Sequence, residues 1–168
     1  MSSRFASTED VNRLLFNLMR FEQQVPRFIE DAVKRIADEE ILTPIKSKMK
    51  QTRYSQKIID GTTIENVVVD GSGFVQFDVI SQFETSEGFD VAKAREEGTV
   101  PHIIRPRNAN GVLTWLTKTG ERIFRKFARN PGIKGSHIVR DTAKSRFPIF
   151  QQKLTEEIVA FYNRTVVA

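Results

Sequence analysis

The period of the apolar residues changes twice along this chain, and that constrains its fold more than any other feature. Val11, Leu14, Leu18, Phe21, Val25, Phe28 and Ala32 follow one another at gaps of three and four, and the stripe continues through Val33, Ile36 and Ile41 toward Ile45 and Met49. Such gaps place side chains on one face of an α-helix. From about Gln56 the helical period gives way to strand-like runs. Val75, Phe77 and Val79 share one side, with Phe83 in the same register, and Gln76, Asp78 and Gln82 share the other, which is the alternation of a half-buried strand. The helical period returns at Phe147, Phe150, Leu154, Ile158 and Phe161.

Local signals divide the chain further. Ser7 and Thr8 are candidate caps for the first helix, and Glu9 and Asp10 suit the positive end of its dipole. Pro26 predicts a kink, or a new helix with Pro26 in its first turn, and Pro44 is a second weak point. The same three-four alternation describes about three coiled-coil heptads, but a proline inside them favours a helix packed on its own sheet. An oligomer could still use such a helix.

Ile58-Ile59, Ile64 and Val67-Val68-Val69 read as strand, Asp70 to Gly73 as a turn, and Phe74 to Phe83 as the second strand of a hairpin. After a polar loop over 84–90, Asp90 caps a short helix from Val91 to Glu97, which Gly98 ends. Strands are expected at His102–Arg105, Val112–Leu116 and Arg122–Phe127, with turns at Asn108–Gly111 and Lys118–Gly120 and a loop over 130–135. A last helix begins near Ser136, and Pro148 is expected to kink it.

The expectation is therefore an α+β domain. It has an antiparallel sheet of about five to six strands, flanked by a long N-terminal helix kinked at Pro26 and by a C-terminal helix. The 168 residues fit a single domain over 1–168, large enough for its own core. Within it, 1–52 is helical, 56–83 a β-hairpin, 84–135 a short helix with strands and loops, and 136–164 the closing helix.

Composition excludes some chemistry. There is no cysteine, so disulfides, thiolate metal sites and cysteine nucleophiles are out. No apolar run approaches the ~20 residues of a membrane helix, and the first ten residues lack the apolar stretch of a signal peptide. These features predict a soluble protein made inside the cell, with no membrane partner.

No catalytic set emerges either. Gly71-Ser72-Gly73 is too short for a nucleophile elbow, and neither a phosphate-binding loop nor a [DE]-x-K nuclease signature occurs. The adjacent pairs Glu39-Glu40, Glu96-Glu97 and Glu156-Glu157 face different ways on a helix. His102 lacks a neighbouring carboxylate partner in sequence, His137 sits at the expected start of the last helix, and both fit structural or interface roles. Trp115, the lone tryptophan, is expected to fill the core or a subunit interface, and the phenylalanines fall mostly on the core stripes. The expectation is a non-enzyme with no cofactor and no metal.

Charge is informative through its distribution. Residues 1–90 carry 11 basic and 15 acidic side chains, a net of −4, whereas residues 91–168 carry 15 and 6, a net of +9. Between 101 and 153, twelve basic residues face only Glu121 and Asp141. This asymmetry points to an acidic partner, nucleic acid or protein. The candidates for an interface or a DNA path are Arg105, Arg107, Arg122, Arg125, Lys126, Arg129 and Lys134. The basic run at Lys46, Lys48, Lys50 and Arg53 fits a solvated helix end better than a phosphate clamp.

One stretch carries a family resemblance. Glu96 or Glu97, then Gly98, Thr99, Pro101, His102, Ile104 and Pro106, match the block E-x-G-T-x-P-H-x-I-x-P, with Glu96 at its first position by strict spacing and Glu97 one residue later. Pro131 and Gly132 follow after the next strands. This resembles the tail-completion, or neck, proteins of tailed bacteriophages, over roughly residues 90–160 by motif and over the N-terminal half by layout. Asn130 stands where the family often has a histidine, and His137-Ile138 where it often has Pro-Phe.

The resemblance implies a structural virion protein: a ring, commonly hexameric, joining the capsid connector to the tail. It would be assembled in the host cytoplasm and located in the virion neck. The implied partners are copies of itself, portal- or adaptor-side connector proteins, and the tail terminator or the tube and sheath proteins. Genomic DNA would pass through the ring without sequence-specific contacts. The alternative is a non-enzymatic nucleic-acid-binding protein that uses the basic 101–153 region. Phosphate contacts would then give salt-sensitive, sequence-blind affinity.

Overall fold

The computed structural model describes residues 8–70, 74–108 and 110–167. They group into two compact units, one formed by residues up to Ser81 together with those from Ile138 onward, the other by Gln82–His137.

The first unit is built on helices. Helix α1 spans Thr8–Ala37, followed without a break by a π-helical turn, Asp38–Leu42, and by α2, Thr43–Gln51. The helix runs through Pro26, so no new helix starts there. The π turn has a local cause. Pro44 lies in the first turn of α2, cannot donate to the carbonyl four residues back, and crowds it. The Thr43 N–H instead reaches the Asp38 carbonyl, a five-residue step. The stripe steps by five from Ile36 to Ile41, and both are buried, as are Val33, Ile45 and Met49. Ala37, four residues before Ile41, is buried as well, so the buried face is continuous across the turn.

Ile58-Ile59 departs from expectation. These residues form a short helix, α3 (Gln56–Asp60), with both side chains buried. Strand β1 begins only at Thr62, running to Val69, and pairs antiparallel with β2, Val75–Ser81. The register shifts between Glu65 and Val68, where Asn66 takes a positive φ of 52° and donates from its side chain to Asp78 at 2.9 Å. Of the expected Asp70–Gly73 turn, residues 71–73 lie outside the described residues. Its shoulders hold each other: Asp70 N–H donates to the Phe74 carbonyl, and Phe74 N–H to Asp70 Oδ1.

Helix α5, Ile138–Tyr162, runs through Pro148 and ends in a second π-helical segment, Asn163–Val167. It packs on α1 through Phe161, which stacks on Phe28 with ring centroids 4.1 Å apart. It also carries Phe150 and Leu154 into the core. Two ion pairs tie it across: Arg35 of α1 to Glu157, and Glu40 of the π turn to Lys153, with Arg146 also beside Glu40. The Lys153 ammonium, hydrogen-bonded to Glu40, holds that carboxyl below its ordinary value, against a smaller opposing effect of desolvation. The N-terminal third of α1 differs from the rest of its stripe. Val11, Leu14 and Leu18 are exposed rather than packed on a sheet.

The second unit starts with a loop closed by the Glu84–Asp90 bridge and by Val91 N–H donating to the Phe83 carbonyl. Helix α4, Val91–Glu97, follows as expected. Asp90 Oδ1 caps it by accepting the Lys93 N–H at 2.9 Å, and Gly98 ends it with φ +89°.

Six short strands come next: β3 (Gly98–Thr99), β4 (His102–Ile104), β5 (Leu113–Leu116), β6 (Arg122–Arg125), β7 (Ala128–Asn130) and β8 (Ile133–Lys134). They pair as β3–β8, β4–β7 and β5–β6, all antiparallel. The three pairs are nested, so residues 98–134 form one long two-stranded ribbon, interrupted twice, with its tip at Thr117–Glu121.

The expected sheet of five to six strands is therefore corrected. Among the described residues, the strands form four separate two-stranded pairs. The strand expected over Arg122–Phe127 is split into β6 and β7, and the loop expected over 130–135 contains β8. The physical reason at the first interruption is proline. Val100-Pro101 on one side faces Pro131-Gly132 on the other, and proline has no N–H for a ladder. At the second interruption, the ladder stops at Ile104 opposite Ala128 and resumes at Leu113 opposite Arg125, so that only Lys126-Phe127 separates the pairs on the returning side.

A candidate interaction ribbon

The motif residues build the root of the ribbon, and their backbone explains their identity. A Cβ added to Gly98 would lie 2.5 Å from the Ile133 carbonyl oxygen, and one added to Gly132 would lie 2.3 Å from that of Thr99. Both glycines also have positive φ, a region that residues with side chains enter at a cost. Thr99 Oγ1 accepts the Ile133 N–H at 3.1 Å, and Asn130 Oδ1 accepts the Gly132 N–H at 2.9 Å. Pro101 and Pro131 interrupt the ladder on its two sides. His102 pairs opposite Asn130, and its Nδ1 lies 3.1 Å from the Val100 carbonyl.

Glu97 closes α4 where the returning strand meets it. Ser136 and His137 donate their N–H groups to the Arg95 and Glu96 carbonyls, each at 3.1 Å, satisfying acceptors that a helix end leaves open. Gly135 makes this approach possible. An added Cβ there would lie 2.6 Å from the Glu96 and Glu97 carbonyl oxygens. In the sequence Gly135 is legible only as the second glycine of the 130–135 loop.

The basic candidates are brought together only in part. Arg105, Lys126 and Arg129 line one groove of about 670 Å³ at the second interruption, together with Pro106 and Phe127. Arg105 and Arg107 lie beyond β4 rather than on a strand, which corrects the expectation that they alternate along one. Arg107 is paired with Glu87 at 2.7 Å, both highly exposed. Lys134 sits at the root, opposite Gly98.

Arg122 and Arg125 are both on β6, but the register separates them. Leu113 faces Arg125 and Trp115 faces Ile123, whereas Thr114 faces Phe124 and Leu116 faces Arg122. Directly opposed residues share a face and successive ones alternate, so each face of the tip carries one arginine among apolar side chains. Of the other basic residues of the 101–153 stretch, Lys118 lies in the tip turn between β5 and β6, and Arg140, Lys144, Arg146 and Lys153 lie on α5 in the first unit.

The second feature of the ribbon went unread in the sequence. Its apolar side chains are not a core. Val100 is 77% exposed, Leu116 63%, Phe124 54% and Phe127 53%, and Trp115 is exposed as well. This corrects the expectation that the phenylalanines are mainly core residues. Alternation alone could not reveal it, because period two records which residues share a face and not whether anything covers that face.

Among the described residues, no three His, Asp or Glu side chains are placed to hold a metal ion, and no helix is long and apolar enough to cross a membrane. What the arrangement offers is contact, through apolar area on both faces and cations interspersed. No family model, curated protein or solved structure matches the chain.

Proposed function

We propose that this protein is a non-enzymatic structural component of a tailed bacteriophage, a ring-forming head–tail connector of the tail-completion or neck type. In this reading it resides in the virion neck, having been assembled in the host cytoplasm. It joins the capsid-side connector to the tail terminator or tail tube, and the genome passes through its ring without sequence-specific contacts.

The observation that carries the reading is the uncovered ribbon. A two-stranded ribbon is marginal alone in water, and exposed apolar area of this kind marks an interaction surface. The resemblance of 97–106 and 131–132 to neck proteins gives that surface an assembly role. A ring requires two different patches on each subunit that meet head to tail.

The test is charge reversal of Arg105, Arg125 and Arg129 together in the virus that encodes the protein. The expected result is a folded protein with filled heads and tails that fail to join. Normal joining would overturn the reading. The groove of Arg105, Lys126 and Arg129 beside Phe127 favours one second reading, a free nucleic-acid-binding module. Strong, salt-steep binding of duplex DNA by the monomer would favour that reading, because releasing counterions from phosphates gives such a slope.

A further inference from the structure

The first unit carries a groove that complements the ribbon. It is about 550 Å³ in volume and runs between the end of α1 with its π turn and strand β1. Leu42, Ile64 and Val67 give it an apolar lining, and Asp38 and Glu65 stand on its two walls. Lys34 also lines it, but its ammonium is bound to Glu30 one helical turn away. The groove is therefore apolar within and acidic at the rim. The ribbon is the reverse in charge and alike in polarity. Across 98–134 it holds eight basic side chains and one acidic, Glu121, spread among exposed Leu116, Phe124 and Phe127.

We infer that the ribbon of one copy seats in the α1–β1 groove of the next copy. The inference rests on the connector reading for its closed geometry and names the contact that such a ring would use. Charge complementarity selects the occupant. Basic Arg122, Arg125 and Arg129 meet Asp38 and Glu65, and the apolar residues of the ribbon cover Ile64 and Val67. A polyanion such as DNA would satisfy the cations but leave apolar residues on both faces of the ribbon in water, and it would be repelled by Asp38 and Glu65. Because ribbon and groove are different patches, the contact is head to tail, and it propagates until a ring closes.

The test uses the full-length protein and reads its molar mass by light scattering across concentration and salt. The wild-type protein is expected to associate, more weakly as salt rises. The triple change R122E/R125E/R129E and the double change D38K/E65K should each weaken association at least about tenfold. An equimolar mixture of the two should recover it, since each reversed ribbon then meets a reversed groove. Should a reversed chain lose its helical circular dichroism, the neutral versions R122Q/R125Q/R129Q and D38N/E65N are expected to weaken association and to remove its salt dependence.

A wild-type monomer at every concentration, unchanged masses in the variants, or a mixture that stays dissociated would each overturn the contact. A contact that fails while head–tail joining still depends on the protein refutes this interface and leaves the connector reading standing. If joining proceeds without the protein, the connector reading itself falls.

Discussion

Gly98 and Gly132 hold the ribbon root by having no side chain. Gly98→Ala must fit a methyl group 2.5 Å from the Ile133 carbonyl oxygen at φ +89°. Strained backbone of this kind costs on the order of 1–3 kcal/mol. The expected outcome is faster hydrogen exchange at the Ile133 amide, with the protection of α1 unchanged; unaltered exchange would contradict the account. Thr142 is the opposite case. It is buried in α5, and among the described residues its hydroxyl is the buried side-chain group that finds no partner. Thr142→Val should leave the thermal midpoint unchanged or raise it, by no more than about 1–3 kcal/mol in stability, since the hydroxyl's desolvation is uncompensated. A clear loss would reveal a partner. At this scale the sequence was readable where the signal was local. Asp90 and Gly98 marked both ends of α4, whereas the need for Gly135 arises only when β8 returns to Glu96.

Among the elements, the π turn shows what periodicity conveys and where it stops. The stripe from Val33 to Met49 was visible, and so was Pro44. The wider turn itself leaves no trace in the stripe, since Ala37 and Ile41 are also buried at a regular gap of four; the Thr43 N–H reaching the Asp38 carbonyl identifies it. Ile36→Ala should cost roughly 2–5 kcal/mol, read as a lower denaturation midpoint, because Ile36 is fully buried. Ile58-Ile59 read as strand because two adjacent β-branched residues favour one, and tertiary burial in α3 overrode that preference.

The Glu40–Lys153 pair gives the helical unit a pH dependence of known sign. The Glu40 carboxyl is held below its ordinary value of 4.5 and Lys153 above its ordinary 10.5, in each case mainly by their hydrogen bond. A depressed carboxyl contributes stability above its unfolded pKa and loses it as pH falls through the folded one. Glu40→Gln should therefore lower the thermal midpoint at neutral pH, and its gap from the wild-type protein should close on acidification below about 4.5. A gap that stays constant with pH would remove the pair from the account.

Over the whole molecule, the alternation of helical and strand-like segments was legible, and the way the strands combine was not. The turns near Asn108 and Gly120 and the strands beside them were local signals. That Pro101 lies opposite Pro131-Gly132 depends on a register set between residues some thirty positions apart, whereas Arg122 and Arg125 face opposite ways because they stand three apart on one strand. The cations were read from the sequence as one basic surface. The fold divides them between the ribbon and α5, where Arg146 and Lys153 serve Glu40. What remains for a partner is a ribbon with apolar and basic residues on both faces, the feature on which the assembly reading stands. The most direct measurement is electron microscopy of lysates in which the gene is silenced in the virus that encodes it. The account expects DNA-filled heads and separate tails, restored to whole particles when the protein is supplied; intact particles in its absence would contradict the account.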